Sequence, residues 1–390
     1  MSQFVQSGTL PWWADLAQPD ILSTALADLA QHAPYDLRRL IRQWVHRPRD
    51  VLRLIRHVDD ATLAAVLSVL ALSLDASAAA LFQTLAEMLQ MPVFRRLVQS
   101  YRRTSAPLES LNLRTQFWTH VMQLAVVMGQ STPDIADLVA AVLHHMSRKL
   151  GMSPASLASA FRQAGGSRRA GWEPRLDSIL AAIEQPEVSA TVPSTPSISL
   201  QPETPSEQSA DATPLDPTFG DTEELYIGNA GLVILWPFLT HFFDHLELLQ
   251  DRQFKDTNAV QRAVGLLQVV VADITVPAEY HLPLNKILCG MDIADVFEFG
   301  PPATEAEREE CENLLTAVIA QALILNNMSI PGFRRTFLLR QGVLSARGDT
   351  WLLRVERETY DIVLDRFPWA ISWVKLPWME TAVQVEWSRS

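Results

Sequence analysis

The sequence predicts a mainly α N-terminal helical domain, a Pro-rich linker and an α+β C-terminal domain with a small antiparallel sheet. Three observations carry this. Residues 10–182 place apolar side chains at helical spacing, punctuated by Pro and Ser. Residues 183–222 change to Pro, Ser, Thr and acidic side chains. Beyond the helical patterns of residues 223–340, apolar and polar residues begin to alternate after Gly348-Asp349. A chain of 390 residues can hold two ordinary domains, each with its own core. Its 48% hydrophobic and 19% charged content excludes global disorder.

In the first region Asp20 is placed to cap a helix carrying Leu22, Leu26 and Leu29, ending before Pro34. A second helix carries Leu37, Leu40, Ile41, Trp44 and Val45 and stops at Pro48. A third runs from Asp50 through Val58, and Asp59 or Asp60 caps a fourth with Leu63, Val66, Leu67 and Leu70 on one face. Helical segments follow at 77–90, 93–102, 113–129, 134–150 and 154–163. The short connections suit antiparallel helical neighbours. No fixed-period repeat is evident.

The domain boundaries follow as 10–182, 183–222 and 223–390. Pro186, Pro193, Pro196, Pro202, Pro205, Pro214 and Pro217 lie in the middle stretch, which cannot bury enough apolar surface to offset its ordering entropy. It is expected to be a disordered linker, kept extended by proline. In the last region helices are expected at 231–250, 257–271, 304–326 and 331–340, and strands at 350–357, 360–364 and 382–387. Asn229, after Gly228, is placed to cap the first of these helices, and Pro237 fits only in a first turn or at a kink.

Charge divides unevenly. Residues 1–182 carry 18 basic against 14 acidic side chains, a net of +4. Residues 183–222 carry seven acids and no base, and residues 223–390 carry 14 bases against 23 acids. The acidic C-terminal half argues against a phosphate-binding surface there. The one basic cluster, Arg38, Arg39, Arg42, Arg47, Arg49, Arg53 and Arg56, lacks aromatic interleaving or a docking motif. A solvated face or a contact with an acidic partner is favoured over nucleic acid.

Candidate chemistry is sparse. His241 and His245 stand at i and i+4, a zinc-chelating spacing, but Phe242 occupies the position where a zincin has its Glu. The competing reading is the wet face of an amphipathic helix. Cys289, with His281 nearby in sequence, has the residue types of a nucleophile and base. Its apolar neighbours Ile287 and Leu288 point instead to an inert buried thiol. Two cysteines are too few for a disulfide framework. No catalytic residue, metal site or cofactor is assigned.

Tryptophan gives the positive signal. Trp351, Trp369, Trp373, Trp378 and Trp387 cluster late, and two readings stay open for them: interface anchors or ordinary core. Trp12 and Trp13, outside any periodic helix, have the character of anchors against another surface. The apolar run after Tyr226 is too short to span a bilayer, which takes roughly 20 apolar residues. The first ten residues lack the basic and apolar regions of a signal peptide. Cytoplasmic synthesis is expected.

Three unusual words occur in order: Leu225 to Phe243 with its Gly228-Asn-Ala-Gly231 turn and Trp236-Pro237, then Tyr280-His-Leu-Pro-Leu-Asn-Lys-Ile-Leu-Cys-Gly290, then Trp369 to Trp378. Near the start stand Leu10-Pro-Trp-Trp-Ala14 and Val51-Leu-Arg-Leu-Ile-Arg56, the latter followed by Leu63, Val66 and Leu70. Together these resemble the tape-measure protein family of extracellular contractile injection systems, phage-tail-like particles with a contractile sheath. The resemblance implies a non-enzymatic protein of particle assembly or length control. Its partners would be tube, baseplate or cap components, and its place the cytoplasm or an extracellular particle. The positions matching the family's words are Asn229, Gly231, Trp236, Pro237, Leu282, Pro283, Asn285, Lys286, Trp373 and Trp378, expected to shape a binding module. Two alternatives are an adaptor whose basic helices bind an acidic partner, and a Cys/His or zinc-dependent enzyme.

Overall fold

The computed structural model describes residues 1–11, 13–14, 18, 20–70, 76–101, 112–128, 135–165, 174–184, 224–274, 276–325 and 328–388. The linker expected at 183–222 therefore lies almost wholly outside the described residues. The chain forms two compact units: Leu22–Ala212, and Met1–Ile21 together with Thr213–Ser390.

The helical unit follows α1 (Ser2–Ser7), which belongs to the other unit. It comprises α2 (Ile21–His32), α3 (Pro34–Val45), α4 (Pro48–His57), α5 (Asp60–Leu70), α6 (Ala76–Leu89), α7 (Pro92–Tyr101), α8 (Leu113–Met128), α9 (Ile135–Leu150), α10 (Pro154–Gly165) and α11 (Pro174–Glu184). Proline opens five of these helices, because its missing N–H falls where no intrahelical acceptor waits. Pro48 thus starts α4 rather than merely ending α3. The expected periodicity is realised in burial: Leu37, Ile41 and Trp44 of α3, and Leu63, Val66, Leu67 and Leu70 of α5, face the core. Arg114 of α8 ties the end of α4. It donates to the carbonyls of Ile55 and Val58, each at 2.6 Å, and to Asp60 Oδ1 at 2.7 Å. A guanidinium there satisfies terminal carbonyls and complements the negative end of the helix dipole.

The α+β unit centres on a five-stranded sheet. Its strands are β1 (Glu224–Ile227), β4 (Gly342–Arg347), β5 (Thr350–Glu356), β6 (Trp373–Val374) and β7 (Ala382–Ser388), in the order β1-β4-β5-β7-β6. Three pairings are antiparallel; β5 and β7 run parallel, Thr350 facing Ala382 and Glu356 facing Ser388. The return needed for a parallel pair is made by residues 357–381. Arg347 pairs with Thr350, so Gly348 (φ +56°) and Asp349 form the two-residue turn of the β4–β5 hairpin. Around the sheet lie α12 (Trp236–His245), α13 (Thr257–Ala272), α14 (Pro283–Leu288), α15 (Glu305–Gln321) and α16 (Ile330–Phe333), the last running on as a π-turn to Leu338.

Two expected elements differ. The helix expected at 231–250 is a 3₁₀ segment, Ala230–Leu235, then α12, which ends at His245. Pro237 stands in the first turn of α12, where its lacking N–H is harmless. The remainder becomes a small hairpin, β2 (Leu249–Gln250) and β3 (Gln253–Phe254), turning through Asp251 and Arg252 at φ +51° and +62°. The strand expected at 360–364 is a 3₁₀ helix, Thr359–Arg366. A capping box between Glu358 and Asp361 starts it, and a buried bidentate ion pair from Arg340 to Asp361 (2.7 and 2.8 Å) holds it down. That local capping overrides the β-branched and aromatic content of Tyr360, Ile362 and Val363.

Candidate functional site

Two of the family-like words, at Asn229 and at Asn285–Lys286, meet in one polar seam inside the α+β unit. Asn229 directly precedes the 3₁₀ segment, but its side chain does not cap it. Instead its amide nitrogen donates inward to Asn285 Oδ1 (2.7 Å), Gln268 Oε1 (2.9 Å) and the His281 carbonyl (3.2 Å). Asn285, on α14, donates in turn to the Val264 carbonyl of α13 at 3.1 Å and to Gln268 Oε1 at 3.3 Å. All three amides are buried. Among the described residues Asn229 Oδ1 alone in this seam has no hydrogen-bond partner. Paired amides at this depth fix relative positions, since an unpaired one would carry the full desolvation cost.

Lys286, next along α14, is also buried. Its ammonium donates to Glu279 Oε1 (2.7 Å) and to the carbonyls of Ile293 (2.8 Å) and Asp295 (2.6 Å). One side chain thus pins both the turn before α14 and the loop after it. Leu282 is fully buried and Pro283 opens α14. Gly231 is required by packing: a Cβ there would lie 1.6 Å from the Phe337 carbonyl oxygen. Gly290 (φ +70°) has the Trp378 carbonyl oxygen 2.8 Å from its would-be Cβ, and the Trp378 indole donates to the Leu288 carbonyl at 2.8 Å.

The tryptophans divide. Trp351 and Trp378 are core, and Trp369 and Trp387 pack partly buried against it. Trp373, on β6, is 52% exposed. Trp236 is half-buried and Pro237 exposed, beside the same 369–373 segment through the bond from the Trp236 indole to the Ala370 carbonyl. Trp13 is 70% exposed, and Trp12 lies outside the described residues. Gln268 and Glu279, two members of the seam, were not singled out by sequence. Glu279 and Gln268 carry no motif, and only the apolar character of their neighbours hints at burial.

The nucleophile and metal candidates do not assemble. Burial pushes the Cys289 thiol well above its usual range and holds the His281 imidazole below its own. The Cys311 thiol is pushed up to about 12, chiefly by burial. A thiol so desolvated is a poor source of thiolate. His241 and His245 bring their rings to 4.1 Å, and His245 Nδ1 lies 3.2 Å from Glu310 Oε1. Among the described residues no group of three His, Cys, Asp or Glu side chains is arranged to hold a metal ion.

The arginine cluster in the helical unit is largely engaged locally. Arg38 donates twice to the Val69 carbonyl (2.9 and 2.6 Å), Arg39 lies 3.7 Å from Asp36, and Arg53 is fully buried. Among the described residues no helix is long and apolar enough to cross a membrane.

The seam joins the turn before the 3₁₀ segment to α13 and α14 through buried side chains. The family model for the contractile injection system tape measure protein matches residues 1–387, and the chain belongs to that family. Neither a curated protein nor a solved structure matches the chain. Membership makes it a component of a phage-tail-like contractile particle, with other particle components as its contacts.

Proposed function

We propose that this protein acts in particle assembly through folded binding units, not as a uniformly extended ruler. The observation that supports this is the partition of the chain into two compact units, each with its own buried core. A single continuous helix of the whole chain would span about 585 Å. The longest described helix, α15, has only 17 residues. Residues 183–222 serve as connector between the helical and α+β parts.

On this reading Asn229, Gly231, Leu282, Pro283, Asn285, Lys286 and Trp378 build the scaffold of the C-terminal binding module. Trp236, Pro237 and Trp373 on its rim, with Trp12 and Trp13 at the other end of the sequence, contact tube, baseplate or cap components. Large aromatics with one exposed face are favoured interface anchors.

The test is particle length by electron microscopy after inserting about 40 helix-forming residues into 184–222, a span of about 60 Å. Unchanged length supports the folded-unit role. Length rising in proportion would establish a ruler and overturn it.

A further inference from the structure

The outward face of α12 carries two imidazoles that the polar seam does not use. Leu239, Phe242 and Phe243 turn into the core, which leaves His241 and His245 on the exposed side, one helical turn apart. Their rings stand 4.1 Å apart between centroids. Imidazoles at i and i+4 can reach one ion from a single helix.

One of the two rings is held from behind. His245 Nδ1 lies 3.2 Å from Glu310 Oε1 on α15, which packs alongside α12. A carboxylate only accepts, so Nδ1 carries the proton and Nε2 keeps the lone pair that a metal takes. Glu310 is set in turn: its Oε2 accepts from Asn313 Nδ2 at 3.1 Å, and its side chain is only 23% exposed. With both oxygens committed, Glu310 orients a ring and does not itself ligate. Such an outer carboxylate is the usual support of a ligating histidine. Among the described residues no third ligand joins the pair. A closed structural zinc site takes four protein ligands and a catalytic one three, so this pair is neither.

Charge favours a cation here. Asp244 and Glu247 are exposed close by in sequence, and the carbonyl end of α12 falls at His245. Residues 223–390 as a whole carry 14 bases against 23 acids.

We infer that His241 and His245 form an open two-imidazole chelate for a divalent transition cation of the zinc, nickel or copper kind. Water fills the remaining positions, and Glu310 is a positioning residue. Imidazole selects these ions over magnesium and calcium, which take oxygen ligands. An ion on Nε2 makes the Nδ1 proton more acidic and tightens its bond to Glu310, so binding fastens the end of α12 to α15. This goes beyond the assembly role and does not rest on it.

The test titrates zinc chloride by calorimetry into the full chain, made without a purification tag and stripped with EDTA. One equivalent should bind in the micromolar range, and magnesium should not bind. His241→Ala and His245→Ala should each weaken zinc about tenfold or more, and Glu310→Ala likewise, with part of the loss restored by Glu310→Gln. All four variants should keep the parent's thermal midpoint in EDTA, since these side chains lie outside the core. Copper(II) on the unaltered chain should show two imidazole nitrogens by electron paramagnetic resonance, and one in His241→Ala. Absence of saturable zinc binding overturns the inference, as does zinc binding that both histidine variants leave unchanged. Should a variant fail to fold, the nitrogen count on the unaltered chain decides, and fewer than two overturns it. Parent-like binding by Glu310→Ala overturns the positioning role.

Discussion

Trp236 and Trp369 exchange hydrogen bonds with each other's backbone neighbourhood. The Trp236 indole donates to the Ala370 carbonyl at 2.7 Å, and the Trp369 indole donates to the Ile234 carbonyl at 3.0 Å. The pair joins the start of α12 to the segment before β6, more than a hundred residues away in sequence. Phe238 adds an edge-on contact with Trp369 at 5.0 Å. Trp369→Phe keeps most of the ring and removes the donor to the Ile234 carbonyl. A loss of about 1–2 kcal/mol in denaturant unfolding is expected. An unchanged midpoint would mean that water replaces the bond without cost.

Gly231→Ala tests the closest backbone approach in the unit. The added methyl would stand 1.6 Å from the Phe337 carbonyl oxygen, so the 3₁₀ segment and the π-turn must separate. Destabilisation of about 3 kcal/mol or more, or failure to fold, is expected. A soluble variant with the parent's unfolding midpoint would show that the approach is not required.

Lys286 and Glu279 should behave as a unit. Removing one partner strands a buried charge, so Lys286→Met or Glu279→Gln alone is expected to cost about 3–5 kcal/mol. The double change Lys286→Met with Glu279→Leu should cost less than the sum, as a double-mutant cycle would read. Additive losses would refute the coupling.

Acid should weaken the helical unit through His120. Its ring stacks on His145 at 3.7 Å, and burial, then repulsion from His145, lowers its pKa from 6.5 to about 4. Burial, Lys149 and Arg148 lower that of His145. A folded-state pKa below the unfolded value means that the unfolded chain binds the proton first. Stability is therefore full above about 6.5 and falls as pH drops toward 4. Thermal unfolding at pH 7 and pH 4.5 should show a drop that His120→Phe reduces. An equal drop in that variant would assign the effect elsewhere.

The thiols should be silent in the native protein. Both Cys289 and Cys311 are buried with raised pKa values, so a thiol reagent at pH 8 should label neither until denaturant is added. Rapid native labelling of Cys289 would reopen the nucleophile reading.

Much of the helical unit was legible because helical spacing and proline punctuation are local signals. The division of 231–250 was not, since it depends on Gly231 meeting Phe337 from over a hundred residues away. The 3₁₀ helix at 359–366 was masked by strand-forming residues, its decisive partner Arg340 being distant in sequence. Asn229 looked like a helix cap because that is what Asn does locally. Its true acceptors, Asn285 and Gln268, come into reach only once α13 and α14 pack. Of the matched positions, Asn229, Gly231, Leu282, Pro283, Asn285, Lys286 and Trp378 are interior, while Trp13, Trp236, Pro237 and Trp373 keep an exposed or half-exposed face.

The α+β unit is discontinuous in sequence, with residues 1–21 preceding the helical unit along the chain and residues 213–390 following it. Across that gap the buried Phe4 of α1 meets Tyr280 edge-on, at 6.3 Å between ring centroids. During synthesis the ribosome delivers Phe4 and Val5 long before Tyr280 exists. The helical unit has the opportunity to fold first, while the early apolar residues wait exposed. Completion is then a late event, set by the emergence of β7 to pair with β5, and a nascent chain halted before that point presents an unfilled N-terminal segment to chaperones or to a neighbouring chain on the same message.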